Sequence, residues 1–274
     1  TRSMPHKKRL ATFVKRFPAT ADLWWALRGS KKPWSAHYKL SGIASVLPGA
    51  VTDVRQLGQK LEHPKRIFVF ATLHYWIEQA GLIALALAGQ GHDLTLAYLP
   101  YAEWQTPITP FDLRRQDLYT RTKLRPAEEV MKICSVLKLI DEGSSLHSLP
   151  EGLREAIKEV SRYDTMYTQQ VESVDEKDPL YQLRLARNTA AASAFLKHFE
   201  HNRPDVLVIP NGTILEMGVA YRVARFLNIP VMTFEFADQR ERIWLAQNDA
   251  IMSHNTTALW EALGGQPLPD GART

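Results

Sequence analysis

The hydrophobic pattern along this chain switches between two periods, and the switches mark its elements. Residues 66–72 (RIFVFAT) form a short, nearly continuous apolar run rich in β-branched and aromatic side chains, which predicts a strand buried on both faces. A short polar turn leads into a helix-patterned stretch at 74–88, stopped by Gly89 and Gly91, and a second strand follows at 93–99. That strand–helix–strand unit opens a doubly wound parallel sheet. The alternation returns late in the chain. Residues 205–210 (DVLVIP) predict a buried strand, Asn211-Gly212 a turn, and residues 213–227 a helix opening on a Thr-x-x-Glu capping box formed by Thr213 and Glu216. A strand at 229–236, a short helix at 239–247, a short strand at 250–253 and a helix at 255–263 complete the series.

Between the two blocks, residues 100–128 read as a long loop with a short helix, 131–140 as a strand, and 150–173 and 178–201 as helices. Three helical segments precede the sheet, near 5–17, 36–46 and 51–62. The expected architecture is α/β: a Rossmann-like, doubly wound, mostly parallel sheet of six or seven strands with helices on both faces, plus an N-terminal helical extension. The expected domains are a basic extension over 1–63, a Rossmann-like domain over 64–264, and a Gly/Pro-rich segment over 265–274 that reads as a linker to a missing C-terminal domain.

Composition narrows the setting. No apolar run approaches the about 20 residues needed to span a bilayer, and the basic start is not followed by the apolar core of a signal peptide. A lone cysteine, Cys134, excludes an intrachain disulfide and a Cys-based zinc site, and argues for a reducing, cytoplasmic compartment. The net charge of +5 conceals an asymmetry: residues 1–66 carry fourteen Lys/Arg against Asp22, Asp53 and Glu62, a net of +11, which leaves −6 for the remainder. Trp24, Trp25, Trp34 and Tyr38 are interleaved with that charge. The segment therefore reads either as helices packing their tryptophans on the main domain or as a peripheral contact with an anionic inner-membrane surface through residues 1–62. No nucleic-acid-binding motif accompanies the charge, so nucleic acid is not an expected partner.

Candidate chemistry lies at the ends of the predicted strands, where ligands of such sheets bind. The first turn (Ala71-Thr72-Leu73-His74-Tyr75-Trp76) lacks the glycines that a dinucleotide pyrophosphate requires, and Walker A, Gly-x-Ser-x-Gly and paired-histidine metal motifs are missing too. No metal and no resident cofactor are expected. The turn offers His74, a candidate base. A second turn presents Asn211, Gly212 and Thr213 at a helix N-terminus, suited to hydroxyls or phosphate. A third stretch, 234–242, gathers Glu235, Asp238, Gln239 and Arg240. Glu235 lies between Phe234 and Phe236, a partly desolvated setting suited to acid–base work, whereas Asp238 and Arg242 make an ordinary i,i+4 helix pair. Tyr75, Trp76, Tyr101 and Trp104 are candidate sugar-stacking rings.

Residues 66–98 resemble the first βαβ unit of the GT-B glycosyltransferases, with a helix of the LALALAxxGH type and a strand entered through Gly91-His92-Asp93-Leu94-Thr95-Leu96. The stretch RPDVLVIPNGTILEMGVAYRVARFLNIPVMTFEF resembles that family's later PDVV…LGIP block. The Gly-His-x-x-Pro and Gly-Gly turn sequences of the family are absent. The resemblance implies the N-terminal, acceptor-binding half of a glycosyltransferase acting on a polysaccharide or lipid-linked acceptor. The nucleotide-sugar would be a co-substrate held mainly by the C-terminal domain. In an inverting member His74 would be the base, oriented by Glu235 or Asp238, with Tyr75, Tyr101, Asn211, Gly212, Thr213, Gln239 and Arg240 contacting substrate. A nucleotide-sugar epimerase of the same fold and a non-catalytic sugar-binding or scaffold module are the alternatives.

Overall fold

The computed structural model describes residues 17–28, 38–58, 60–136, 144–236, 242–253, 255–262 and 264. Its centre is a six-stranded sheet of order β3-β2-β1-β4-β5-β6, formed by β1 (Arg66–Thr72), β2 (Asp93–Leu99), β3 (Lys132–Ser135), β4 (Val206–Pro210), β5 (Val231–Phe236) and β6 (Ile243–Gln247). The first five strands are parallel. The register runs from Arg66↔Asp93 to Thr72↔Leu99 between β1 and β2, and Ile67 pairs with Val206 on the other side. β1 is buried from Ile67 to Thr72, as a central strand covered on both faces must be. This is the expected mostly parallel, Rossmann-like α/β sheet.

The helices are α1 (Ala19–Arg28), α2 (Ser41–Leu57), α3 (His74–Gly89), α4 (Pro110–Leu124), α5 (Glu151–Gln169), α6 (Pro179–His201), α7 (Leu215–Phe226) and α8 (Thr257–Ala262). The order reverses at β1: the chain first builds outward through β2 and β3, then returns to lay β4 and β5 on the other side. The crevice above the β1–β4 boundary is therefore the switch point at which ligands of open α/β sheets bind.

Several boundaries differ from expectation, each for a physical reason. The predicted helix at 239–247 is instead, over its described part, the antiparallel strand β6. Its Ile-Trp-Leu run pairs from Met232↔Gln247 to Phe236↔Ile243 and satisfies the open edge of β5. The predicted strand at 250–253 is a 3-10 turn over Ile251–Ser253. The helices expected at 36–46 and 51–62 are one helix, α2, which runs through Pro48 because Ile43, Leu47 and Val51 form a continuous buried stripe. Residues 100–128 hold a full helix, α4, capped by Thr109 accepting from Asp112 N at 3.1 Å. Its polar sequence hid it, since it buries Gln116, Asp117 and Thr120. Tyr98 donates to Asp117 at 2.8 Å, Ala102 N donates to Gln116 at 3.1 Å, and the Tyr38 hydroxyl pairs with Thr120 at 2.8 Å. β3 ends at Ser135, and residues 137–140 of the predicted strand lie outside the described residues, as do residues 5–16 of the predicted helix at 5–17 and the segment 265–274.

Trp24, Trp25 and Tyr38 of the basic N-terminal region are used in packing. Tyr38 is fully buried, Trp24 lies 3.9 Å under the Arg115 guanidinium, and Asp22 pairs with Arg114 at 2.8 Å. These contacts hold α1 against α4. No helix among the described residues is long and apolar enough to cross a membrane.

Candidate functional site

A cavity of about 610 Å³ opens at the carboxyl ends of β1, β4 and β5, within the size range of small-molecule sites. Its floor is the turn after β4. Asn211 (φ 56°) and Gly212 (φ 81°) are consecutive left-handed residues. A Cβ on Gly212 would stand 2.7 Å from Thr233 Cγ2, so both the backbone angle and the space demand glycine there. Asn211 fits the left-handed region because its short amide bonds locally. Its Oδ1 accepts from Thr213 N, and its Nδ2 donates to Glu235 Oε2, both at 2.9 Å. That last bond ties the ends of β4 and β5 together inside the cavity. Glu235 Oε1 also accepts from Phe236 N at 3.1 Å.

The second edge is the turn after β1, where Leu73 adopts φ 63°, ψ 143° just before α3 begins. Leu215, the first residue of α7, is also left-handed at φ 57°. Leucine avoids this region, at a cost of order 1–3 kcal/mol per residue, and such strain concentrates at functional sites. Both leucines line the cavity.

The third wall is α5, which presents Tyr163, Asp164, Met166, Tyr167 and Thr168. Trp104 reaches across to it and donates through Nε1 to Thr168 Oγ1 at 2.9 Å. Tyr75 and Trp76 of α3 close the opposite side, with Trp76 stacked on Phe236 at 4.5 Å. Burial, together with the nearby Tyr167 and Glu235, pushes the Tyr75 hydroxyl upward from its ordinary value.

Behind the cavity lies a fully buried ionic network. Arg184 donates through Nε to Asp164 Oδ2 at 3.0 Å, and through Nη2 to Glu216 Oε1 at 2.9 Å and Asn188 Oδ1 at 3.0 Å. Asp164 accepts further from Asn188 Nδ2 at 2.9 Å and from Leu215 N at 2.6 Å. Burial pushes the Asp164 carboxyl upward, against the opposing pull of Arg184 and the Leu215 N–H. For Arg184, burial acts downward but the two carboxylates outweigh it, so the guanidinium stays charged. Asp164 thus caps α7 from a different helix.

The expected Thr213–Glu216 capping box does not form. Glu216 is consumed by Arg184, and Thr213 Oγ1, shielded from solvent, has no hydrogen-bond partner among the described residues. Gly218 permits this arrangement: a Cβ there would stand 2.5 Å from the Thr213 carbonyl oxygen.

Of the residues singled out in the sequence, the structure brings Tyr75, Asn211, Thr213 and Glu235 together around one cavity. Gly212 lies in the turn beneath it. His74 is half-buried, its ring edge-on to Tyr38 at 5.9 Å, and is not among the lining residues. Tyr101 is buried beneath the Arg187 guanidinium at 4.5 Å, also off the lining. Its hydroxyl is pushed up to about 12, first by burial and then by Glu216. Asp238, Gln239 and Arg240 lie outside the described residues. Sequence reading missed the whole α5 wall. The available signal was the pair of i,i+4 couples Tyr163/Tyr167 and Asp164/Thr168 within an amphipathic helix. Among the described residues no group of three or more His, Cys, Asp or Glu side chains is placed to hold a metal ion. No family model matches the sequence and no curated protein does.

Proposed function

We propose that this chain is the acceptor-binding half of a GT-B-type glycosyltransferase, with the cavity above β1, β4 and β5 as the acceptor site. One observation carries the reading: a ring-lined hollow at the switch point of a parallel sheet, with the Asn211–Glu235 pair at its base. Aromatic faces with a few fixed polar groups are how proteins hold the apolar faces and hydroxyls of sugars and their aglycones. The nucleotide-sugar is a co-substrate, bound mainly by a partner domain. In the transfer step an acceptor hydroxyl gives its proton to the Glu235 carboxylate as its oxygen bonds to the anomeric carbon, and the nucleoside diphosphate leaves with the electron pair of the broken C–O bond. Glu235, which faces the cavity, takes this role in preference to His74, which packs on Tyr38.

The test is glycosyl transfer from a panel of nucleotide-sugars with the donor-binding half supplied. Glu235→Gln should lower kcat by at least about 100-fold, the scale of general-base catalysis, and His74→Ala by less than tenfold. The reverse ranking would return the base to His74. No transfer by the wild-type pair with any donor would favour a non-catalytic sugar-binding module.

A further inference from the structure

We propose that the acceptor enters this cavity bearing a cationic nitrogen on an apolar or aromatic body, a deepening that rests on the acceptor-site reading above. Five aromatic side chains, from Tyr75, Trp76, Trp104, Tyr163 and Tyr167, contribute to the walls. Among the described lining residues there is no Lys, Arg or His, while two are acidic. Those two carboxylates differ in one respect. Asp164 is matched by the buried Arg184 guanidinium at 3.0 Å. Glu235 is held only by neutral donors, the Asn211 side-chain amide and the Phe236 backbone N–H, and has no ion-pair partner among the described residues.

A carboxylate with no cationic partner among the described residues, at the base of a ring-lined hollow, attracts positive charge twice. Coulomb attraction acts at Glu235, and the negative faces of the rings act along the walls. The same arrangement repels an anion, so a phosphate or carboxylate group of the acceptor would have to remain outside. Burial and the nearby Glu235 also keep the Tyr75 phenol protonated, so its ring adds no competing charge.

Calorimetric titration of the full chain at pH 7.5 with 2-phenylethylammonium, 2-phenylethanol and phenylacetate tests this directly, since the three share one body and differ in charge. The expected order of affinity is ammonium, alcohol, carboxylate, with at least tenfold between first and last. Glu235→Gln, which preserves shape and the hydrogen bond from Asn211, should bring the ammonium to within about twofold of the alcohol. Three results would overturn the proposal: phenylacetate binding as tightly as the ammonium, an ammonium preference that survives Glu235→Gln, or no detectable binding of the ammonium. Glycosyl transfer to a neutral acceptor alongside any of these would overturn the cationic ligand alone and leave the acceptor-site reading standing.

Discussion

Replacing Arg184 by Met removes the positive charge that is ion-paired with two buried carboxylates. Arg184, Asp164 and Glu216 are all at most 1% exposed, so water cannot take over the lost contacts. The variant forfeits hydrogen bonds to Asp164, Glu216 and Asn188 and strands two acids. Breaking a buried pair from one side costs about 3–5 kcal/mol, which for a domain of this size lowers Tm by about 6–20 °C. The pH dependence has a definite sign. Burial already raises Asp164 and Arg184 opposes that rise; without Arg184 the carboxyl moves further up. A carboxyl raised in the folded state contributes stability that is fully present below its unfolded value of about 4 and is lost as pH rises through the folded value. The deficit of Arg184→Met relative to wild type should therefore be larger at pH 8 than at pH 5. Urea unfolding followed by far-UV circular dichroism at both values measures it. Adding Asp164→Asn and Glu216→Gln should recover at least half of the loss. A deficit under about 1 kcal/mol at pH 8, small beside the usual cost of breaking a buried pair, or a deficit that grows toward pH 5, would refute the ionic account of this network.

Two glycines and one surface give further expectations. Gly212→Ala forces a side chain into φ 81° and against Thr233; it should cost about 1–2 kcal/mol by thermal unfolding, and a neutral effect would contradict the turn geometry. Gly218→Ala drives a Cβ into the Thr213 carbonyl, backbone that cannot swing aside; a loss of about 1–3 kcal/mol should appear together with weaker ligand binding, because α7 must withdraw from the cavity. On α1, Leu23 and Leu27 are 63% and 77% exposed and lie four residues apart beside the basic N-terminal sequence. Sedimentation with anionic liposomes should fall on Leu23→Ser/Leu27→Ser and with rising salt, whereas binding insensitive to both would reject a membrane contact there.

The sheet was legible because its central strands are short apolar runs separated by Gly and Asn turns, a pattern that only a two-faced parallel sheet explains. β6 was misread because Ile243, Trp244 and Leu245 carry no clear period of two; all three are exposed, and pairing with β5, not burial, makes them a strand. α4 was shortened because burying a polar residue leaves no hydrophobic stripe. The site was half legible. Asn211, Thr213 and Glu235 follow from strand ends, which sequence locates, but the α5 wall depends on how a helix that ends at Gln169, 37 positions before β4 begins at Val206, packs against α7. The capping of α7 shows the same limit: Thr-x-x-Glu predicts a local box, yet a long-range buried arginine captures Glu216, and Asp164 takes over the cap. His74 illustrates the converse. Position at a strand end was evident, but the direction of its ring was set by Tyr38, from a segment whose packing the pattern did not reveal.

Whether the cavity is the acceptor site is tested most directly by saturation-transfer NMR with a panel of alkyl and aryl glycosides, both neutral and amino-substituted, on wild type and Thr213→Trp. Thr213 lines the cavity, and an indole there would take up part of the about 610 Å³. Saturation transfer to at least one glycoside in the wild type, lost in a folded Thr213→Trp protein, is the predicted result. Undiminished transfer in Thr213→Trp would place glycoside binding elsewhere on the molecule and contradict the account.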